Sequence, residues 1–155
     1  MGRCAVLLLT VALLAGCGGG DDDSPSKERF VADANRICRE GEAKIADVTR
    51  EQRGRLREAV ADRQAIADVL EATTAAYEPY FERLRALDAP SELEEGWTRF
   101  LDGVGEAFDL IPELADATRE RDREKLAELT SKFSEIADET RPFAQQNGLS
   151  DCLPD

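Results

Sequence analysis

Cys4, Cys17, Cys38 and Cys152 are the side chains best suited to covalent chemistry in this sequence, which contains no histidine. A thiol without an imidazole lacks its usual catalytic base. The same absence removes Ser-His-Asp triads, histidine-ligated haem and most zinc sites. Carboxylates are plentiful, 33 Asp and Glu against 20 Lys and Arg, yet no pattern singles out a pair set for general acid and base work. No catalytic residue, metal ligand set or cofactor is therefore expected. The net charge of −13 argues against a nucleic-acid partner and against a face lying on anionic lipid.

Cys17 closes the run Leu14-Ala15-Gly16-Cys17, which follows Arg3 and an apolar stretch from Ala5 to Ala15. The stretch is far short of the roughly 20 residues that a spanning helix needs, and it reads as the core of a signal peptide. The run resembles the lipobox of bacterial lipoproteins. That resemblance implies a lipoprotein signal peptide over residues 1–16, acylation of Cys17 as the first mature residue, and enough acyl chains for stable anchoring. Residues 17–25 contain Gly18-Gly19-Gly20-Asp21-Asp22-Asp23-Ser24, with nothing apolar to bury, and make a lipidated flexible tether. Residues 26–155 are one domain's worth of chain. The alternative is an ordinary secretory leader cut near Ala15, with Cys17 a spare thiol. Cys4 lies inside the leader and has no mature role.

With Cys17 acylated, Cys38 and Cys152 are the thiols left to the mature chain in an oxidising, exported compartment, and a disulfide between them is expected. The alternative is two buried free thiols acting as small hydrophobes. A bridge over so long a loop is worth roughly 4 to 5 kcal/mol in the chain-entropy model, before any strain is subtracted.

The elements that must position these groups all read as helices, with no period-two strand pattern. A first helix starts at Ser24-Pro25 or Ser26, carries Phe30, Ala34, Ile37, Gly41, Ile45 and Val48, and ends or turns at Gly54. A second alternates steps of four and three through Leu56, Val60, Arg63, Ala67, Leu70, Thr74, Tyr77, Phe81 and Leu84. Ser91 and Glu94 form a capping-box signature for a third, with stripe Leu93, Trp97, Phe100, Val104, Phe108, Ile111 and Ala115. A fourth carries Leu126, Leu129, Phe133, Ile136, Thr140 and Phe143, with Gly148 as its C-terminal cap. The expected fold is all-α, an antiparallel up-down four-helix bundle after a flexible N-terminal tether. Three long helices, one of them broken, are the alternative. Pro79, Pro112 and Pro142 fall inside the stripes, where each kinks or splits its helix and frees a carbonyl at Ala75, Phe108 or Asp138.

Four features of this bundle offer surfaces for recognition. Tyr77, Tyr80, Phe81, Trp97 and Phe100 converge near one interhelical turn, either lining an apolar ligand pocket or simply closing the core. Asp102, Glu106, Asp109 and Glu113 lie on the acidic face of the third helix, as a docking or cation face or as a solvated one. Arg50, Arg53, Arg55, Arg57, Arg119, Arg121, Arg123 and Lys125 meet at the end distal to the tether, partly cancelled by neighbouring acids, where they either touch anionic envelope polymer or complement helix C-termini. Arg63 sits in an apolar seam, where it either needs a carboxylate or carbonyl partner if buried or packs its stem while its head reaches water.

The lipobox, the tether, four apolar helices and the closing Gly148-Leu149-Ser150-Asp151-Cys152 together resemble small, uncharacterised helical lipoproteins of actinobacteria, a source that the arginine- and alanine-rich composition also suggests. The resemblance supplies no catalytic residues. It implies a non-enzymatic interaction or binding module anchored by lipid on the extracytoplasmic face of the cell membrane. Its partners would be the membrane, through the anchor, and an envelope protein or polymer; the sequence sets no oligomeric state. The alternative is a solute- or metal-binding lipoprotein that uses the aromatic pocket or the acidic face.

Overall fold

The computed structural model describes residues 25–58 and 62–153, with backbone alone for 54–58. Cys4, Cys17, the tether up to Ser24, and Val60 lie outside the described residues. These form α1 (Lys27–Glu58), α2 (Arg63–Arg85), α3 (Glu94–Asp109), α4 (Ile111–Glu120), α5 (Arg123–Asn147) and a 3-10 turn (Ser150–Cys152). α1 runs along α2, α2 along α4, and α5 along α3 and α4. The result is an all-α bundle whose third arm is two helices. Among the described residues, no helix is long and apolar enough to cross a membrane.

Local chemistry moves several expected boundaries. Gly54 does not end α1, which continues to Glu58, so Leu56 belongs to α1. α2 starts instead at Arg63, because the Asp62 carboxylate accepts a hydrogen bond from the Gln64 N–H at 3.0 Å and satisfies a donor that the helix start leaves open. The Ser91–Glu94 capping box is not used. The Pro90 carbonyl accepts from the Leu93 and Glu94 amides at 2.8 and 3.0 Å, and Leu93 precedes α3 with no side-chain cap.

The prolines act differently according to position. Pro112 sits in the first turn of α4, where its missing N–H costs nothing, and the break at Leu110 precedes it. Pro79 and Pro142 lie inside α2 and α5 on exposed faces, where water can solvate the freed carbonyls. Between α4 and α5, Arg121 adopts φ 63° while the Asp122 amide reaches back to the Ala117 carbonyl at 3.0 Å. A glycine would close this turn without the roughly 1 kcal/mol that a Cβ costs in left-handed backbone.

Packing is concentrated at the end where α1 begins. Phe30, Ala34, Ile37 and Cys38 of α1 meet Phe81 and Leu84 of α2, Trp97, Phe100 and Leu101 of α3, and Ala144 and Leu149. A smaller cluster, Leu110, Ala117, Leu129 and Ile136, fills the space between the third arm and α5. Glycines set the helix spacing. A Cβ on Gly41 would lie 2.3 Å from the Tyr77 ring, one on Gly96 2.4 Å from the Phe143 ring, and one on Gly103 2.5 Å from the Thr140 methyl. Each is a seat for a side chain of the facing helix.

The chain end is clamped to one face of α1 by residues spaced three and four apart. Cys38 and Cys152 Sγ atoms lie at bonding distance, 2.08 Å, at a sequence separation of 114. Asn35 donates to the Gly148 carbonyl at 2.8 Å and accepts from the Asp151 amide at 3.1 Å. Arg39 pairs with the Asp151 carboxylate, and Leu149 is fully buried. Reducing the bridge is therefore expected to lower stability by up to about 4 kcal/mol, measured by urea unfolding with and without reductant. Hydrogen exchange should show the 148–153 tail only partly opened by reduction, and freed when Asn35→Ala is added. An unchanged unfolding midpoint under reductant would show that the bridge contributes nothing.

Candidate functional site

The bundle leaves one seam unpacked. α1 has no run of contacts against α5 comparable to its run along α2, and between them lies a cavity of about 470 Å³, open to solvent on one side. Phe100, Val104, Ala107 and Phe108 of α3 and Phe133, Ile136 and Ala137 of α5 form its apolar lining. Glu42 and Ile45 supply the α1 rim, Tyr77 of α2 also faces it, and Cys152 and Leu153 bound the end nearest the start of α1. The lining runs from Phe100 to Phe108 on α3 and from Phe133 to Arg141 on α5, which makes a slot about 12 Å long. This volume falls within the roughly 300–1,000 Å³ of ordinary small-molecule sites.

Gly41 of α1, one turn before Ile45, is buried against α2 and leaves room there for a large side chain. The Tyr77 ring fills the Gly41 seat. Burial is the main cause that pushes the Tyr77 phenol up to about 12, with the Glu42 carboxylate adding to it. The slot is thus lined by rings and branched chains, with a neutral hydroxyl beside a carboxylate at one rim.

Two other hollows are more polar. One, about 430 Å³, lies between α2 and the α3–α4 break and is ringed by Glu71, Glu78, Glu82, Asp109 and Arg85 around Phe81 and Phe108. Its cation is already seated, the Arg85 guanidinium lying 4.5 Å from the Phe81 ring centre. The other, near Asp88, Glu94 and Thr98 at the end where α1 begins, is broad and polar.

The five aromatic residues expected to converge do not share one pocket. Tyr77 and Phe100 face the slot, Phe81 faces the opposite hollow, and Trp97 is 3% exposed within the core. Tyr80 is half-buried, with the Arg83 guanidinium 5.5 Å from its ring centre. The rings form two strings instead: Phe30–Trp97–Phe100–Phe143, and Tyr80–Tyr77–Phe108–Phe81. Phe108, Phe133 and Ile136 join the site although the stripes assign them to the core. The signal for them is Ala137 and Thr140, small residues on α5 where a filled seam needs large ones.

The acidic face is divided. Asp102, Glu106 and Asp109 are exposed on α3, while Glu113 belongs to α4 and pairs with Lys125 at 2.9 Å. Among the described residues, no three Asp, Glu or Cys side chains are grouped to hold a metal ion. At the distal end Arg119 contacts Glu71, Asp116 and Asp68 at 2.8, 2.9 and 3.5 Å. The Glu71 hydrogen bond leads the causes that raise its pKa. Arg50 pairs with Asp47. Arg53, Arg121 and Arg123 make no ion pair among the described residues, and the side chains of Arg55 and Arg57 lie outside them. Arg63 opens α2, half-buried. Compared with protein-family models, curated proteins and solved structures, the chain matches none.

Two outcomes follow from this arrangement. Because the folded Tyr77 phenol resists ionisation, its contribution to stability is full below the ordinary value of 10 and is lost as pH rises towards about 12. Tyr77→Phe should remove that slope from alkaline unfolding curves, together with the phenolate absorbance appearing near pH 12. On the acidic face, Glu106→Gln with Asp109→Asn should leave stability unchanged or raise it by about 0.5 kcal/mol as repulsion is relieved. A millimolar calcium effect on melting that the double substitution abolishes would instead mark a cation site.

Proposed function

We propose that this chain is a lipid-anchored, extracytoplasmic binding module without catalytic activity, and that the slot between α1, α3 and α5 is its working part. Anchoring rests on Leu14-Ala15-Gly16-Cys17 behind a short apolar leader. The joined Cys38 and Cys152 accord with an oxidising compartment. The observation that carries the binding reading is the slot itself. A chain that fixes its own tail to α1 with a covalent bond, hydrogen bonds and an ion pair still leaves about 470 Å³ of apolar lining open beside it. A polypeptide closing its core for stability alone gains by filling such a space.

The placement suits an apolar solute. α1 begins at the same end as the segment that follows α5, and the nine residues from Cys17 to Pro25 can span at most about 30 Å. The slot therefore stays near the bilayer surface, where apolar molecules partition.

The anchor and the slot are tested together but read separately. Cys17→Ala is expected to leave the detergent phase of a membrane extraction; equal partitioning of variant and wild type would sink the anchor. The whole mature chain carrying Cys17→Ser, exported through a cleavable leader so that it oxidises, should bind the neutral dye Nile red. Ala137→Trp, which fills the slot from α5, should weaken that binding about tenfold, a loss near 1.4 kcal/mol. Dye binding indifferent to Ala137→Trp and to Val104→Trp would show that the slot is not the site.

A further inference from the structure

The polar groups of the slot are unequally engaged. Thr140 spends its hydroxyl on the Ile136 carbonyl at 2.8 Å. Asp151 is paired with Arg39. Glu42 faces the Tyr77 ring and contributes to the high pKa of its phenol, which stays a neutral O–H at any ordinary pH. Arg141, on α5, also lines the slot, and among the described residues its guanidinium makes no hydrogen bond or ion pair. An exposed arginine with no partner is ordinary on a helix surface. One set at the mouth of an apolar slot is not, because whatever enters the slot meets a charge as it leaves.

The position of Arg141 gives the slot a direction. It stands two turns beyond Phe133 on α5, at the end where Asp151 and Leu153 lie, and the apolar lining runs from there towards Phe133. A ligand with a charged head at Arg141 would lay an alkyl chain against Val104, Phe108, Phe133 and Ile136. A slot of this volume and length has room for an alkyl chain of about ten carbons. Charge sets the head. Asp151 at that end is already neutralised by Arg39, so a cation would oppose Arg141, and a dianionic phosphate would be repelled by Glu42 in the same lining. A monoanion suffers less than a dianion from the Glu42 carboxylate and gains a charge-assisted hydrogen bond from the guanidinium.

Resting on the reading of the slot as a binding site, we infer that its ligand is a single-chain amphiphile with a carboxylate head, a fatty acid, held by Arg141 at the rim and by the apolar lining along its length. Arg141 binds the head while it remains partly in water, so the interaction weakens with salt.

The test compares three probes that share one ten-carbon chain (about 12 Å of extended alkyl, matched to the slot): decanoate, decanol and decyltrimethylammonium, each titrated calorimetrically below its micelle concentration into the oxidised mature chain carrying Cys17→Ser. Decanoate is expected to bind about tenfold tighter than decanol, with the ammonium probe weakest and the decanoate advantage shrinking in high salt. Arg141→Gln, an exposed change, should bring decanoate to the level of decanol and leave decanol unchanged. Decanoate binding that exceeds decanol but survives Arg141→Gln would overturn the assignment of the head, as would equal binding of all three probes; in either case the slot remains a binding site. Binding of none of the three, with Nile red also unbound, would overturn the head and the slot together.

Discussion

α1 is long enough to run beside the whole bundle, about 48 Å over its 32 residues, but the hydrophobic side chains that it buries among its described residues lie in its first three turns. Phe30, Ala34, Ile37 and Cys38 are buried among α2, α3 and the chain end. Beyond them come Gly41, which yields its place to Tyr77, then Glu42 and Ile45, which form a rim. One helix thus closes the fold where it begins and leaves it open farther along. The tail closes what α1 cannot, bonding across to the same face on which Asn35, Cys38 and Arg39 stand.

The same pattern sets where aromatic rings go. Gly41 and Gly96 accept the faces of Tyr77 and Phe143, so the helices approach closely and rings lie flat against backbone instead of meeting at one pocket. The T-shaped contact of Phe30 with Trp97 at 5.0 Å and the stacking of Trp97 on Phe100 at 5.4 Å join α1 to α3 through rings alone. Trp97 Nε1 is buried in this arrangement with no hydrogen-bond partner, a cost of about 1 to 3 kcal/mol. Ring contacts and the burial of a large apolar surface offset it.

The helical stripes were readable because a period of 3.6 survives any packing that buries one face. Boundaries depend on single groups instead. Asp62 accepting from Gln64, and Pro90 accepting from Leu93 and Glu94, were not separable from other polar residues nearby. Which ends meet followed from connectivity, and Phe30, Leu84, Trp97 and Ala144 do share one end. The slot was not legible, because it exists where the small residues Ala137 and Thr140 of α5 share a lining with Glu42 and Ile45 of α1, a coincidence between segments nearly a hundred positions apart. The five aromatic residues were visible by type, but their partition among two hollows and a core depends on glycines that a stripe counts only as apolar.

Asn35 carries a consequence for the order in which the chain acquires its covalent bond. Its side chain holds both the Gly148 carbonyl and the Asp151 amide, one residue short of Cys152 and one turn from Cys38. A thiol so delivered meets its partner at an effective concentration far above that of two free groups in solution. Oxidation therefore draws on a tail that the helices have already docked, and the bond records a pairing made by an amide. The two Asn35 contacts join α1 to the segment that follows α5, so a chain in which α5 has not packed lacks the alignment that brings Cys152 to Cys38.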